Sequence, residues 1–289
     1  MKIDCHFHLE PRILSVPDLL VKMDQAQVDK LALISPMIDP FPEPPVIMVR
    51  LLQWMLKRSR FRPLAYHFCA DFTPQGDIKI LFQKYSIYAK PDNSRIFQTI
   101  DQYPDRFLGW LFINPASDQD IISEIEKWID HPNCVGIKVH PFWHRYAPVR
   151  LTDAARIAVQ KGKPMLMHAG FNDHGDFLSL IKAVPDLKLI LAHAAFPKYQ
   201  DNWDIMRSYP NVFVDISQTA YVNEHTIQEV VNTLGYRKCL FGTDGPYGST
   251  DSDGQFSFDI IMKQVETLFP DNDIQQAILG RNFADICRS

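Results

Sequence analysis

Six side chains able to bind a metal ion or move a proton stand at the ends of short apolar runs. His6 and His8 close Ile3-Asp4-Cys5-His6-Phe7-His8, and His140 closes Val135-Gly136-Ile137-Lys138-Val139-His140. His168 ends Pro164-Met165-Leu166-Met167-His168, His193 ends Leu189-Ile190-Leu191-Ala192-His193, and Asp244 ends Leu240-Phe241-Gly242-Thr243-Asp244. Imidazole nitrogens and a carboxylate are the ligands of Zn²⁺ and related divalent ions. Residues two apart on a strand point to the same side, so His6 and His8 can approach one ion. One His-x-His pair is a weak signal. Here five of the ten histidines close four apolar runs, and Asp244 closes another. A set of His6, His8, His168 and Asp244 leaves coordination positions open for water and substrate, as catalysis requires.

These residues need elements that carry them to one place. Eight strand candidates run along the chain: Ile3–His8, Lys30–Ser35, Leu108–Asn114, Val135–His140, Pro164–His168, Lys188–His193, Val212–Ser217 and Lys238–Asp244. Their near-continuous apolar character suits parallel strands covered by helices. Helical patterns fall between them, as in Asp118–Asp130, where Ile121, Ile122, Ile125 and Trp128 keep helical spacing. Eight alternating units predict an α/β fold, a (β/α)8 TIM barrel, as one domain over residues 1–289. An open doubly wound sheet is the alternative, weakened because no glycine-rich phosphate loop follows the first strand. The rhythm breaks between Ser35 and Leu108. The excess, residues 36–92, begins with a proline-rich stretch and continues with a helix candidate at Val46–Lys57. Following strand two, this insertion emerges on the face where barrel active sites lie, and reads as a lid or substrate wall or else as an oligomer contact.

Bulk properties exclude several function classes. The 289 residues are 46% hydrophobic with a net charge of −4, so there is no basic footprint for nucleic acid. No run of 18 apolar residues exists and no membrane span is expected. The N-terminus lacks the basic and apolar regions of a signal peptide. Five scattered cysteines form no C-x-x-C pair, which points to reduced thiols and a cytoplasmic location.

Taken together, the motifs resemble the amidohydrolase superfamily of metal-dependent barrels, in its amidohydrolase-related branch (amidohydrolase 2). The likeness rests on Asp4-Cys5-His6-Phe7-His8, Gly136-Ile137-Lys138-Val139-His140-Pro141, His168-Ala169-Gly170, Ala192-His193 and Gly242-Thr243-Asp244-Gly245-Pro246. The tail Ile278-Leu279-Gly280-Arg281-Asn282-Phe283-Ala284 resembles that branch's C-terminal helix. The resemblance implies His6, His8 and His168 as metal ligands. Asp244 would bind or touch the ion and act as general base, taking a proton from the metal-bound water. His193 would hydrogen-bond the nucleophile or substrate, or ligate a second metal. Lys138 and His140 share a strand face; Lys138 is either a carbamylated bridge between two ions or an unmodified cation beside one. One ion is the favoured reading, with Zn²⁺ the default and Mn²⁺ the runner-up.

Asp215 either orients a ligand histidine or caps a loop, and Asp4 reads as structural. His67, His131 and His225 read as solvent-facing, whereas His144 and His174 follow strands on the active-site face. The post-strand loops are aromatic. Trp143 and Tyr247 are expected to contact substrate, Arg145 to clamp a carboxylate, and the pocket to favour a planar or apolar small molecule. The same aromatics would equally pack the insertion onto the barrel mouth. Three functions follow: a hydrolase of an amide, lactone or ester; a non-oxidative decarboxylase of an aromatic or unsaturated acid; or a non-catalytic barrel keeping a vestigial site. A full ligand set argues against the last. The expected partner is a small-molecule substrate, with no nucleic acid or membrane; where the insertion is read as an oligomer contact, a second copy in a homo-oligomer joins it.

Overall fold

The computed structural model describes the chain except residues 42–44, 70, 74–75, 81–82, 252 and 289 and the side chains of 46 and 80. Eight parallel strands pair in sequence order: β1 (Ile3–His8), β2 (Lys30–Ile34), β3 (Phe107–Phe112), β4 (Cys134–Val139), β5 (Met165–Met167), β6 (Leu189–Leu191), β7 (Val212–Asp215) and β8 (Cys239–Leu240). Backbone bonds from Cys5 to Phe241 O (3.0 Å), Asp244 to His6 O (2.8 Å) and His8 to Gly245 O (2.6 Å) join the last strand to the first. The result is the expected (β/α)8 barrel. Three of the helices start where a side chain accepts an orphan N–H group of the first turn: Ser15, Asp120 and Asn223 cap Val16–Ala26, Ile121–Trp128 and Glu224–Leu234.

Two apolar layers explain why the strands read as continuous hydrophobic runs. Ile3, Cys5, Ala32, Ile34, Trp110, Phe112, Leu166, Ile190 and Leu240 pack together inside the barrel, with Phe283 and Ile286 of the C-terminal helix as a plug. Leu31, Leu33, Ile137, Val139, Met165, Met167, Leu189 and Leu191 face the helices. Strict alternation would put Phe7 inside with Ile3 and Cys5. It packs instead in the outer layer, because β1 gains one residue on β2 between Asp4↔Leu31 and Phe7↔Leu33. This bulge turns His6 and His8 inward. A second extra residue, Val135, lies between the Cys134↔Gly109 and Gly136↔Trp110 pairs. It brings Lys138 to the inner face. Gly136 is required beside it, since a Cβ there would lie 2.1 Å from Pro164 O.

Several predicted strand ends are shortened. Lys188–His193 stops at Leu191, and His193, Ala194 and Ala195 turn left-handed (φ 55°, 53° and 61°). Lys238–Asp244 keeps only Cys239–Leu240 as ladder, with Asp244 at φ 58°. Left-handed backbone at non-glycine residues costs on the order of 1–3 kcal/mol each and persists where surrounding bonds over-determine it.

Between β2 and β3 the described residues form helices Val46–Leu56 and Arg62–Cys69 and a hairpin of Ile78–Ile80 with Gln83–Tyr85. This segment docks on the loops after β6 and β7. Gln53 Nε2 donates to Thr219 O (3.2 Å) and Ala220 O (3.0 Å), and the Arg62 guanidinium bonds Asp201 and Lys198 O. Pro42 to Pro44 of the proline-rich stretch lie outside the described residues. No helix among the described residues is long and apolar enough to cross a membrane, and all five cysteines are free thiols.

Candidate metal centre

The C-terminal strand ends gather the sequence candidates around a cavity of about 70 Å³ lined by His6, His8, Lys138, His140, His168, His193 and Asp244. Asp244 Oδ1 stands 3.2 Å from His6 Nε2 and 3.4 Å from His8 Nε2. Gln218 Nε2 donates to Asp244 Oδ2 at 2.9 Å, and His193 Nε2 lies 3.9 Å from that oxygen. His168 joins through ring contacts, 4.8 Å from His193 and stacked at 4.0 Å on His140.

The second nitrogen of each ring decides which nitrogen faces the cavity. His6 Nδ1 donates to Asp215 Oδ2 (2.8 Å), His8 Nδ1 to Ser35 O (3.3 Å), His168 Nδ1 to Ala169 O (3.0 Å) and His193 Nδ1 to Ser217 Oγ (2.8 Å). Each leaves a lone pair on Nε2, the tautomer a metal needs. Burial lowers His6, His168 and His193, the last to about 4, so these rings stay neutral near pH 7. His140 is different. Its Nδ1 accepts from the Trp143 backbone N–H at 3.1 Å, so the neutral ring carries its proton on Nε2. Burial holds it neutral too, which makes His140 a hydrogen-bond donor and a poor ligand.

Among the described residues, two groups have ligand atoms close enough for one ion: His6, His8 and Asp244, and His6, His193 and Asp215. The second is accounted for by hydrogen bonds. Asp215 accepts from His6 Nδ1, the His193 N–H (2.9 Å), the Ser217 N–H (3.0 Å) and the Ser217 hydroxyl. Burial alone would raise the Asp215 carboxyl, but His6 and these donors hold it well below the usual range. In the first group two imidazole Nε2 atoms converge on one carboxylate oxygen, at 3.2 and 3.4 Å. Burial likewise opposes ionisation of Asp244, and the neighbouring His6 and His193 outweigh it, so its carboxyl lies well below the ordinary value. That donor set fits a divalent cation. Lys138 Nζ donates to His6 Nε2 at 3.1 Å, spending on an ammonium the lone pair an ion would take; burial brings this lysine down to about 8.

Asp215→Asn is therefore expected to weaken metal affinity about 10- to 100-fold, because the amide can present a donor to His6 and upset its tautomer. Competition titration against a chromophoric chelator reads this; an unchanged affinity would leave Asp215 a loop cap.

The remaining candidates divide. Trp143 stacks on His140 (5.0 Å) and Tyr247 stacks on Phe41 (5.8 Å), and all four line the cavity with Met37 and Ile38 from the residues after β2. Arg145 does not line the cavity. It is exposed at φ 55°, with its guanidinium 5.7 Å from the centre of the Phe72 ring. His174 is half-buried outside the cavity. His144 is buried, with Nε2 3.1 Å from Tyr88 O and Nδ1 without a partner among the described residues. Sequence reasoning passed over Gln218 and Ser217, which follow β7 as ordinary polar residues; their only signal was position at a strand end. Asp4, read as structural, accepts from Thr243 Oγ1 (2.6 Å), Thr243 N (3.1 Å) and His6 N (3.0 Å). It fixes β1 against the Asp244 turn.

Burial pushes His144 down to about 4, against an ordinary value of 6.5. The unfolded chain therefore binds the extra proton between these limits. The stabilisation is complete above pH 6.5 and is lost as pH falls toward 4, by roughly 3 kcal/mol in total for a shift of this size. His144→Phe should lose correspondingly less stability between pH 7 and pH 4.5. Urea unfolding at both values tests this, and equal losses in the two proteins would contradict it.

The amidohydrolase family model matches residues 3–285. The chain belongs to the amidohydrolase family. Among solved structures, 2,6-dihydroxybenzoate decarboxylase from Rhizobium superimposes with a TM-score of 0.63 at 14% identity, covering 99% of this chain and 98% of that one. A probable 2-pyrone-4,6-dicarboxylic acid hydrolase from Acinetobacter baumannii gives 0.60 at 13% identity, with coverage of 99% and 98%. Among curated proteins, protein fluG of Emericella nidulans is 24% identical over 119 residues, 36% of this chain. The match spans 14% of that relative's length. This family member thus shares its barrel with a decarboxylase and a probable hydrolase, in a family of enzymes that act on small molecules.

Proposed function

We propose that this amidohydrolase-family chain is a metal-dependent hydrolase of an amide, lactone or ester bond in a small organic molecule. The observation that carries the reading is the split role of Asp244. One carboxylate oxygen faces His6 and His8, while the other is held by Gln218 toward His193. His6, His8 and Asp244 would hold one divalent ion, Zn²⁺ by donor type with Mn²⁺ the runner-up, and His168 would complete the set. Such an ion lowers the pKa of water to about 7 and polarises a carbonyl. Asp244, ionised and buried, accepts the proton from the attacking water and returns it to the leaving group. His193, oriented by Ser217, steadies the nucleophile or the developing oxyanion through Nε2. Lys138 supplies the cavity's cationic charge and His140 a donor N–H.

The same donor N–H favours a second reading, non-oxidative decarboxylation of an aromatic or unsaturated acid, supported by the decarboxylases that share the fold. A turnover screen of amides, lactones, esters and aromatic acids in H₂¹⁸O and in D₂O separates the two. Hydrolysis places ¹⁸O in product without CO₂; release of CO₂ with deuterium at carbon would reject it in favour of decarboxylation.

A further inference from the structure

Beside the metal-centre cavity lies a second chamber, of about 150 Å³, under helix Val46–Leu56. Its walls are Met48, Leu52 and Met55 of that helix with Phe41, Trp143 and Tyr221. Phe41, Trp143 and Tyr221 also line the metal-centre cavity, so the two spaces share one wall of rings. Nothing in the chemistry above uses the chamber.

Its lining is almost wholly apolar. Cys69 is its one thiol, pushed by burial to about 12 and so uncharged. No lysine or arginine lines it among the described residues, and none occurs among the undescribed ones. Among the described residues, the only cation lining the metal-centre cavity is Lys138, already engaged by His6. A carboxylate placed remote from the metal would therefore enter without a partner, at a desolvation cost a site of this kind does not offset. An apolar group would instead be stabilised by every methylene it buries. A space of about 150 Å³ lined by aliphatic and aromatic side chains is the size that accepts a benzene ring.

We infer that the substrate carries an uncharged apolar arm, a phenyl group or a short alkyl chain, seated in this chamber while its reacting carbonyl or carboxyl lies at the metal centre. The inference rests on the metal-dependent reading above and narrows it. The helix Val46–Leu56 then acts as the specificity wall, held in place by Gln53 on the loop after β7.

The experiment uses two series of equal chain lengths from two to eight carbons. n-Alkyl hydroxamic acids, which chelate metals, are titrated calorimetrically into Zn²⁺-loaded protein; n-alcohols are titrated into metal-free protein to read the chamber alone. Affinity is expected to rise about three- to fourfold per methylene in both series until the chamber is full. Leu52→Trp, which fills the chamber, should flatten both series and leave acetohydroxamate affinity unchanged. Met48→Trp, at a position 38% exposed, repeats the test where packing is more tolerant. Acetohydroxamate binding with no dependence on chain length would overturn the inference while leaving the metal centre intact. Rising alcohol affinity with no acetohydroxamate binding would remove the metal reading and with it the chamber's role as a substrate subsite.

Discussion

Asp244→Asn should lower turnover by about 10³- to 10⁴-fold while the barrel stays folded, the upper range for loss of a general base that also touches the metal. The substitution keeps the side chain's shape. Its amide oxygen can still accept from Gln218 Nε2, but the amide nitrogen then faces His6 and His8. A donor group there occupies the two lone pairs and removes the negative charge. Metal affinity should fall with activity, and the carboxylate that takes the water's proton is gone. The contacts that hold the turn, Asp244 N to His6 O and the Thr243 N–H and hydroxyl to the Asp4 carboxylate, do not involve the changed atoms. Steady-state kinetics on the substrate found by screening, bound metal by elemental analysis, and circular dichroism together check this. Retained activity would remove Asp244 as the base.

Removal of the ion should be the other large effect. Dialysis against a strong chelator is expected to reduce turnover by at least about 10⁴-fold, since water near neutral pH is a poor nucleophile without a cation to acidify it. Addition of one equivalent of Zn²⁺ or Mn²⁺ should restore it. Chelation should be easier at low pH, because protons compete for the same Nε2 lone pairs. Burial lowers His6 and His168, which favours the ion over protons at these two rings, so metal should be retained at pH 6 and lost on further acidification. Activity indifferent to thorough metal removal would exclude both enzyme readings.

The barrel was legible because eight apolar runs separated by helical patterns admit few arrangements. The candidate ligands were legible as a cluster because imidazoles ending such runs are carried to one end of a barrel. Strand alternation correctly placed His6 and His8 on one face. That this face is the barrel interior, as expected, depends on a bulge set by pairing with β2, which alternation alone does not show. Strand ends were read too long at His193 and Asp244 since both residues leave the ladder through left-handed turns, held by tertiary bonds to Asp215 and His6. Gln218 was invisible because its importance lies in reaching Asp244 from the neighbouring strand end. Arg145 was expected at the substrate on charge alone. It follows a short helix, Pro141–His144, and a left-handed residue carries it outward toward Phe72. His140 matched the ligand pattern by type, yet its backbone bond from Trp143 fixes the opposite tautomer. A sequence records the ring and not the proton.

The most direct measurement is anomalous diffraction from crystals of the purified protein, collected on both sides of the zinc edge and, for manganese, at its own edge. One peak is expected between His6 Nε2, His8 Nε2 and Asp244 Oδ1, with His168 Nε2 turned to it and Lys138 withdrawn from His6. No peak at those three atoms in active protein, or an ion bound elsewhere, would contradict the metal centre and the chemistry built on it.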